Sequence, residues 1–568
     1  MRLFRSLFDG FALWRRAKSH STLIEALRNR LLFAGVCAVL IFSGISYRLA
    51  DVMVLSQFID CRSKNWTSPG IIQKADIVDR NGELLATSIT TASCYADPSV
   101  VIDIDEAAAK LNEIPGMPGI DRIKQKLSNR KKHFVWLARH ITPQLRTQIM
   151  DLGIPGVHML KDYKRIYIHK NLFSHVIGCS DIDGEGIYGL ERKFSKQLFI
   201  KDATDKRKLV TTLDLRMQAI VHEELERAVK KFGAAGGNAM LMTTNGELIA
   251  IVSLPDFNPN NLKSTTSDAM FNRNTLGVFE QGSILKILNV AIAIDSGAAS
   301  LGTVFDATEP IKIGKYLIND FRGKKRPLTL AEAFVFSSNI ASAKIAQAFG
   351  ASVQKAYMKK FGMLDKPQIE IPEVGRPLIP AHWTEATTMS VAYGYGLAVS
   401  PLQLLATVTS IINGGVRIVP TVINRRHPRA NDQIRLVSSE TSAIVRELMR
   451  SAVCYGTAKK ASIDGTSIFG KTGTAYKVSG RGYGSDSTRK RITTFIGGFP
   501  SDDPQYMLLV TLDDPKPSQE TFGYVTAGWN VAPAAHDIFN RIVPILCESV
   551  GKASTPIKVL KYVKLEKR

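Results

Sequence analysis

The chain has 568 residues, of which 45% are hydrophobic, enough apolar material for two or three domains with at least one large core. Lys and Arg outnumber Asp and Glu by 74 to 51, a formal net charge of +23. No zinc-finger spacing, RNA-binding signature or basic helix-turn-helix accompanies this charge, so nucleic acid is not an expected partner. The charge favours attraction to an anionic surface such as a membrane or a cell-wall polymer.

The N-terminal region predicts a membrane anchor. Leu31–Tyr47 contains no charged residue, and seven basic residues precede it against only two acidic ones. By the positive-inside rule, the N-terminus is then cytoplasmic and the rest of the chain is exported. A cleaved signal peptide is the alternative, but the basic region is long and no A-x-A-like site follows the apolar run. An uncleaved, single-pass anchor is therefore favoured.

After the anchor, apolar periodicity and turn residues predict a hairpin, a helix, a second hairpin, a mostly helical middle, and finally three strands and a helix. In the same order these elements span residues 75–88, 215–232, 238–254, 340–455, 467–477, 491–498, 506–512 and 532–547. A charged stretch at 201–208 predicts a linker. Strands at both ends, with helices between them, indicate an antiparallel sheet covered by helices, which is an α+β architecture.

Three short motifs carry the chemistry: Ser283-Ile284-Leu285-Lys286, Ser337-Ser338-Asn339 and Lys471-Thr472-Gly473-Thr474. Each is weak alone, because S-x-x-K recurs by chance, Ser-Ser-Asn is a common helix N-cap and Lys-Thr-Gly also fits a strand and turn. Their order and spacing match the motifs of serine enzymes that are acylated by penicillin-like amides. The set therefore predicts an acyl-transfer enzyme.

The residue types fit that chemistry. A serine hydroxyl needs an adjacent base, and on a helix over Ser283–Ser296 the hydroxyl of Ser283 and the amine of Lys286 share one face. Burial and any second cation would lower the pKa of Lys286 and make a neutral amine base feasible. The backbone N–H groups of Ser283 and Thr474 are expected to form the oxyanion hole.

The other motif residues are expected on the opposite side of the site. Ser337 would pass a proton to the leaving group, Asn339 would orient the substrate amide, and Lys471 would add positive charge. The hydroxyls of Thr472 and Thr474 would bind a substrate carboxylate. The predicted catalytic residues are Ser283, Lys286, Ser337, Asn339 and Lys471, and the predicted substrate-binding residues are Thr472, Gly473 and Thr474.

One motif points elsewhere. Residues 465–472 match the phosphate-binding pattern G-x-x-x-x-G-K-[ST] at every position. That motif requires a helix starting at the Lys-Thr pair. Here the following residues predict a strand and then a Gly-rich loop, so the nucleotide-binding interpretation is rejected.

Sequence motifs for metal sites and for other classes of hydrolase are missing. The six cysteines show no C-x-x-C or metal-like spacing, and neither H-E-x-x-H nor G-x-S-x-G occurs. No metal and no cofactor is expected, and no disulfide pair is predicted.

The chain resembles a class B penicillin-binding protein over nearly its whole length. Beyond the three motifs, the segments that carry the resemblance are 77–82 (IVDRNG), 186–191 (GIYGLE), 213–214, 393–403 (YGYGLAVSPLQ) and 513–516 (DDPK), and the last two resemble most the division-specific FtsI type. Two departures stand out. Lys74-Ala75 occupies a place where Arg-Gly is usual, which leaves the pedestal geometry open, and Gln281 stands where Pro is usual.

The resemblance implies the penicillin-binding transpeptidase fold preceded by a β-rich pedestal. The implied domains are a cytoplasmic basic segment (1–30), the anchor (31–54), the pedestal or dimerisation domain (55–205), the transpeptidase domain (206–550) and a basic, solvated tail (551–568). The enzyme would lie in the inner membrane with a periplasmic catalytic domain.

The resemblance also implies the reaction and the partners. As a D,D-transpeptidase the enzyme would cross-link peptidoglycan stem peptides through Ser283, and β-lactam inhibitors would acylate the same serine. Expected partners are an FtsW-type lipid II polymerase and other division proteins. Three alternatives stay open: an elongation-specific transpeptidase, a hydrolase such as a β-lactamase or carboxypeptidase, and a non-catalytic divisome scaffold or penicillin sensor.

Overall fold

The computed structural model describes residues 23–50, 73–200, 205, 207–314, 316–424, 434–477, 489–546, 559 and 561–563. The chain divides into two compact units, Met1–Gly70 and Ile71–Arg568. The first unit contains one described element, helix α1 (Leu23–Ala50). Its residues Arg30–Leu49 have a mean hydropathy of 1.8, so the helix is long and apolar enough to cross a membrane. Residues 51–54 of the predicted anchor lie outside the described residues.

The second unit begins with a β-rich region that corresponds to the predicted pedestal. Its strands are β1 (Asp76–Val78), β2 (Leu84–Ala96), β3 (Val135–Ile141), β4 (Val157–Tyr167), β5 (Cys179–Ser180), β6 (Gly186–Tyr188) and β7 (Lys208–Val210). Strand β2 pairs antiparallel with β1, β3 and β4, while β1 pairs parallel with β7. The predicted hairpin with its Asn81-Gly82 turn is β1–β2, and Gly82 has the positive φ that this turn requires.

Helices cover one face of the pedestal sheet. The alternate residues Ala92, Cys94 and Ala96 of β2 are buried in a core that these helices help to form. The pedestal helices are α2 (Ile104–Asn112), α3 (Ile120–Leu127), α4 (Pro143–Asp151), α5 (Ser174–Ile177), α6 (Gly189–Lys193) and α7 (Ser195–Leu198). Of these, α2, α3 and α4 contribute to that core.

The second part of the unit is built on a five-stranded antiparallel sheet. Its strands are β8 (Gly236–Thr243), β9 (Leu248–Leu254), β16 (Phe469–Tyr476), β17 (Arg491–Phe499) and β18 (Tyr506–Asp513), in the order β16-β17-β18-β8-β9. Short strands lie outside this sheet: β10 (Phe279–Glu280), β11 (Val304–Asp306), β12 (Ile311–Ile313), β13 (Tyr316–Ile318), β14 (Pro327–Thr329) and β15 (Ala398–Val399). The second predicted hairpin is β8–β9, with its turn at Gly246.

Helices cover both faces of this sheet. They are α8 (Leu215–Lys231), α9 (Ser267–Met270), α10 (Lys286–Asp295), α11 (Leu330–Val335), α12 (Asn339–Lys360), α13 (Glu385–Tyr393), α14 (Pro401–Ile412), α15 (Ser439–Tyr455) and α16 (Val531–Leu546). Along β8, Met240 and Met242 belong to the core that contains α10 to α12, while Ala239 and Leu241 belong to the core with α8 and α16. The period of two in a strand thus explains why successive residues of β8 pack into different cores, and the predicted α+β class is confirmed.

One local prediction needs adjustment. The first turn of the Ser283 segment, Gly282–Leu285, is a 3-10 helix, and α-helical geometry begins at Lys286. Within the predicted helical middle, α12 is kinked at Gly350, which has a φ of +75°, and a second helical segment continues directly after it to Lys360.

The basic tail is only partly a solvated end. Lys561 is exposed, but Val559 and Val563 are buried in the same core as α10 and α11. The carbonyl oxygen of Tyr562 accepts a hydrogen bond of 2.7 Å from the Thr329 hydroxyl, which lies directly before α11. Two apolar side chains spaced four residues apart are enough to attach this segment to the domain.

Candidate active site

Ser283 lies on the 3-10 turn that precedes α10, next to strand β16. The turn and the strand approach so closely that a Cβ on Gly282 would lie 2.4 Å from the Thr474 carbonyl oxygen. A Cβ on Gly473 would likewise lie 2.6 Å from the Gln281 carbonyl oxygen. Glycine is therefore required on both sides, and Gly282 in addition has a φ of +53°. This contact brings the backbone of Thr474 beside Ser283.

Lys286 is fully buried one turn after Ser283, in the register that places i and i+3 on the same side of a 3-10 turn. Its Nζ donates hydrogen bonds of 2.7 Å to the Ser337 carbonyl oxygen and 2.8 Å to Asn339 Oδ1, and lies 3.2 Å from Ser337 Oγ. The sequence predicted an amine directed at the Ser283 hydroxyl. In this structure the amine instead bonds to the second motif.

Lys471 is the second fully buried lysine of the site. Its Nζ donates to Ser337 Oγ at 2.9 Å, and the Thr472 carbonyl oxygen lies 3.4 Å away. The side chains of Lys286 and Lys471 thus meet at one hydroxyl, that of Ser337. The structure brings together four of the five predicted catalytic side chains through hydrogen bonds, and Ser283 lies on the adjacent turn.

The two amines do not have ordinary pKa values. Burial, reinforced by the positive charge of Lys471, lowers the pKa of Lys286 well below its usual value, and Asp320 opposes the shift. Burial lowers the pKa of Lys471 to about 7. Because both amines are buried and two like charges beside one hydroxyl repel each other, the pair favours states in which at least one amine is neutral.

The second motif is held by the ends of two helices. Ser337 has a φ of +60°, a left-handed conformation that costs a non-glycine residue about 1–3 kcal/mol. It follows α11 directly, where the Ser338 N–H bonds back to the Ala333 carbonyl oxygen as in a helix C-terminal motif. Ser338 then caps α12 by accepting from the Ala341 N–H. The strained residue is thus fixed between two capped helices, which orients its hydroxyl toward both lysines.

Asp320 is a site residue that sequence reasoning missed. Its carboxylate accepts hydrogen bonds from the Ser338 hydroxyl and from the backbone N–H groups of Asn339 and Ile340. The neighbouring Asn319 carbonyl oxygen accepts from Asn339 Nδ2 at 2.9 Å. A carboxylate at the N-terminus of α12 stabilises the helix dipole and fixes the second motif. A single Asp in the 319–326 loop belongs to no recognisable motif, so this contact could not be predicted.

The third motif lies on β16, paired with β17 in the register Thr474 to Thr493. Thr472 and Thr474 share one face of the strand because side chains alternate. The Thr472 hydroxyl is 2.7 Å from the Thr457 hydroxyl, and the Thr474 hydroxyl accepts from the Ala527 N–H at 3.0 Å. Because the Lys-Thr pair of the phosphate-binding pattern is in a strand and not at a helix N-terminus, rejection of the nucleotide interpretation is confirmed.

Comparison with known proteins identifies the family. Residues 237–540 match the penicillin-binding protein transpeptidase domain, and residues 73–201 match the penicillin-binding protein dimerisation domain. The chain is 33% identical over 485 residues to the probable peptidoglycan D,D-transpeptidase FtsI of Caulobacter vibrioides, which covers 83% of this chain and 81% of that protein. It is 30% identical over 550 residues to the peptidoglycan D,D-transpeptidase FtsI of Escherichia coli K12, covering 90% and 91%.

The chain is a class B penicillin-binding protein. A solved structure agrees in fold: penicillin-binding protein 3 of Mycobacterium tuberculosis in complex with aztreonam has a TM-score of 0.66 at 24% identity, over 85% of this chain and 98% of that one. As a member of the family, this penicillin-binding protein is a serine-type peptidoglycan D,D-transpeptidase. In the part of the chain that the structure describes, no group of three or more His, Cys, Asp or Glu side chains is placed to hold a metal ion.

The structure of this penicillin-binding protein accommodates both residues that depart from the family pattern, Lys74 and Gln281. Lys74 Nζ donates to Glu191 Oε2 at 2.9 Å, so the lysine supplies the positive charge that an arginine would bring. Gln281 is buried, and its amide donates to the Val399 carbonyl oxygen at 3.1 Å. That bond ties the residue before Gly282 to β15, so the nucleophile turn is fixed without proline.

Proposed function

We propose that this enzyme cross-links peptidoglycan stem peptides at the division septum through an acyl-enzyme on Ser283, and that β-lactams acylate the same serine. The single observation that carries the proposal is the convergence of Lys286 and Lys471 on the Ser337 hydroxyl beside the Ser283 turn. Two buried amines with lowered pKa values supply both a base and an acid at neutral pH.

Acylation starts when Lys286, as the neutral amine, takes the Ser283 proton. Apo geometry does not disqualify it, because catalytic hydrogen bonds are often formed only when substrate is present. Ser283 Oγ attacks the carbonyl of the penultimate D-Ala, and the oxyanion is stabilised by the N–H groups of Ser283 and Thr474. Support for that oxyanion hole comes from the close approach of Gly282 to the Thr474 backbone.

The leaving group departs on the opposite side. Ser337, which accepts a hydrogen bond from Lys471, passes a proton to the amine of the leaving D-Ala, and Asn339 orients the substrate amide. The substrate carboxylate is bound by the hydroxyls of Thr472 and Thr474, which share one strand face, with Gly473 between them allowing the close approach of the strand. An amine from a neighbouring stem peptide then resolves the ester.

The division role rests on similarity. Two relatives that match most of the chain are named FtsI, and the 393–403 and 513–516 segments resemble that type. A division role would also imply an FtsW-type lipid II polymerase and other division proteins as partners. The excess of basic residues before α1 supports an inner-membrane protein with its N-terminus in the cytoplasm and its catalytic domain in the periplasm. The alternative, an elongation-specific role, is separated by depletion: filaments support division, whereas rounded cells support elongation.

The chemistry is tested by intact mass of the full-length protein after brief exposure to benzylpenicillin. We expect a persistent gain equal to one drug molecule, absent in Ser283→Ala and present in Ser296→Ala at the end of the same helix. Drug consumption with only a transient adduct would indicate a β-lactamase. A folded protein with neither adduct nor drug loss would leave the non-catalytic scaffold alternative.

A further inference from the structure

Two cation–aromatic pairs lie side by side at one edge of the site. The Arg322 guanidinium carbon lies 4.8 Å from the centre of the Tyr524 ring, and Lys460 Nζ lies 3.4 Å from the centre of the Trp529 ring. The two rings stack on each other with centres 5.5 Å apart and an interplanar angle of 22°. We call these four side chains the cation–aromatic rim. Aromatic faces attract cations and restrict their motion, so both charges are held in place.

Chain connections place this rim beside the predicted carboxylate site. Arg322 follows Asp320, which holds the second motif, by two residues. Tyr524 and Trp529 flank Ala527, whose N–H bonds to the Thr474 hydroxyl. Lys460 follows Thr457, which bonds to Thr472, by three residues. The rim therefore connects the Ser337 side of the site to the β16 side, next to the two threonine hydroxyls.

Among the described residues, no carboxylate neutralises these two cations. Arg322 and Lys460 are exposed, and no Asp or Glu oxygen lies within 4 Å of either in the described part of the chain. Glu520, an acid of the same loop as Tyr524, pairs with Lys231 at 2.9 Å. Two ordered, uncompensated positive charges favour binding of an anion. Because guanidinium and carboxylate match in shape, a carboxylate at Arg322 could form two parallel hydrogen bonds.

Comparing the two half-reactions indicates which carboxylate would bind at the rim. The amine that leaves and the amine that later resolves the ester both use the same side of the acyl carbonyl. In the second step the incoming amine nitrogen bonds to the carbonyl carbon, the bond to Ser283 Oγ breaks, and one N–H proton passes to that oxygen. The leaving D-Ala carries a carboxylate beside its amine, so an acceptor of the same class enters the same end of the site, where the rim borders the two threonine hydroxyls.

We propose that the cation–aromatic rim, through Arg322, binds the carboxylate adjacent to the acceptor amine and so selects α-amino carboxylates as acceptors. This inference rests on the proposed function. In this proposal, Arg322 determines acceptor specificity in the second half-reaction, and Lys460 adds to the positive electrostatic potential at the rim. Its carboxylate ligand is distinct from the one bound during acylation, since the acceptor enters only after D-Ala has left.

The test compares two acceptors that differ only in charge. Full-length enzyme in detergent is given an acyl-D-alanyl thioester as donor, with D-alanine or D-alaninamide as acceptor, and both transfer products are quantified. We expect wild type to prefer D-alanine and Arg322→Gln to reduce that preference about tenfold, through a higher KM for D-alanine but not for D-alaninamide. Lys325→Gln, an exposed cation on the same loop, is the matched control and should keep the wild-type preference.

The outcomes separate the two proposals. If the wild-type enzyme neither forms a benzylpenicillin adduct nor consumes the thioester, the proposed function fails. If the adduct forms but Arg322→Gln keeps the wild-type acceptor ratio, or loses both acceptors equally, the specificity role of the rim is overturned. Should Arg322→Gln melt well below wild type, Lys460→Gln carries the same comparison, with a smaller loss of D-alanine preference expected.

Discussion

The pedestal and the catalytic site both bury lysines, but they treat the charge in opposite ways. In the pedestal, Lys74 is 2% exposed and donates to Glu191, which also accepts from Arg165 at 2.6 Å. In the catalytic site, Lys286 and Lys471 are fully buried, and their hydrogen-bond acceptors in the described residues are neutral oxygens. The charge of a buried lysine is thus compensated by a carboxylate in the pedestal, whereas the two lysines of the candidate site bond only to neutral oxygens among the described residues.

The difference separates a structural from a catalytic use of burial. A carboxylate partner stabilises the ammonium form, so the pedestal lysine serves as a fixed charge that ties residue 74 to α6. Hydroxyl, carbonyl and amide oxygens offer no full negative charge, so burial lowers the pKa of Lys286 well below its usual value and that of Lys471 to about 7. In the proposed mechanism, these neutral acceptors among the described residues are what keeps a neutral amine available as base.

Replacing Lys286 should give the largest effect on rate. Lys286→Met keeps the length and packing of the side chain but removes the amine, so acylation by benzylpenicillin should slow by about 10²–10⁴-fold. Thermal stability should change little, because no buried carboxylate is left without its partner. Stopped-flow acylation and thermal melting measure the two effects, with Lys355→Met on the exposed face of α12 as control. An acylation rate within tenfold of wild type would exclude Lys286 as the base.

Replacing Lys74 should lower the stability of the protein and leave the acylation rate unchanged. Lys74→Met leaves Glu191 buried with one cation instead of two, and breaking a buried pair costs about 3–5 kcal/mol. The thermal midpoint should fall, while the acylation rate per folded molecule should stay at the wild-type value. Lys74→Arg, which restores the residue usual in the family, should keep the wild-type midpoint. Equal midpoints for Met and Arg at this position would show that the ion pair adds nothing to stability.

Features encoded locally were predicted well from the sequence. The Asn-Gly turns placed both hairpins, and Asp214 with an amphipathic run placed α8 at Leu215–Lys231, one residue from the expected end. The three short motifs were recognisable because each has fixed residue types at a fixed short spacing, and four of their side chains come together in the structure. The sheet class followed from the chain order of the elements, because strands at both ends with helices between them indicate an antiparallel sheet covered by helices.

Features that depend on long-range contacts were not predicted. The hydrogen bonds of Asp320 to the start of α12 join residues nearly twenty positions apart, with β14 and α11 between them, and the hydrogen bond from the Thr329 hydroxyl to the Tyr562 carbonyl oxygen joins residues 233 apart. Neither spacing leaves a period or a motif in the sequence. The direction of the Lys286 amine was also beyond reach, because it is set by the left-handed backbone at Ser337, which brings a carbonyl oxygen and an amide oxygen toward it.

Replacing Asp320 should have a smaller effect than replacing either lysine. Asp320 is a carboxylate near Lys286, but it accepts hydrogen bonds from the second motif and not from an amine. Its charge raises the pKa of Lys286 against the effect of burial. In Asp320→Asn that charge is gone, so the pKa of Lys286 should fall further and the amine should stay neutral to lower pH. The acid limb of the acylation profile should therefore move to lower pH by less than about one unit.

The pH profile separates this electrostatic role from simple helix capping. Asn keeps one oxygen that can accept from the Asn339 and Ile340 N–H groups, and its Nδ2 can donate to Ser338 Oγ, so the loss of stability should be about 1 kcal/mol or less. Asp320→Ala removes the acceptors as well, and should lower the rate at every pH because Ser337 and Asn339 lose their support. Asp306→Asn, at an exposed carboxylate on β11, should leave the profile unchanged. If the acid limb of Asp320→Asn moves upward, Asp320 does not stabilise the charged form of Lys286.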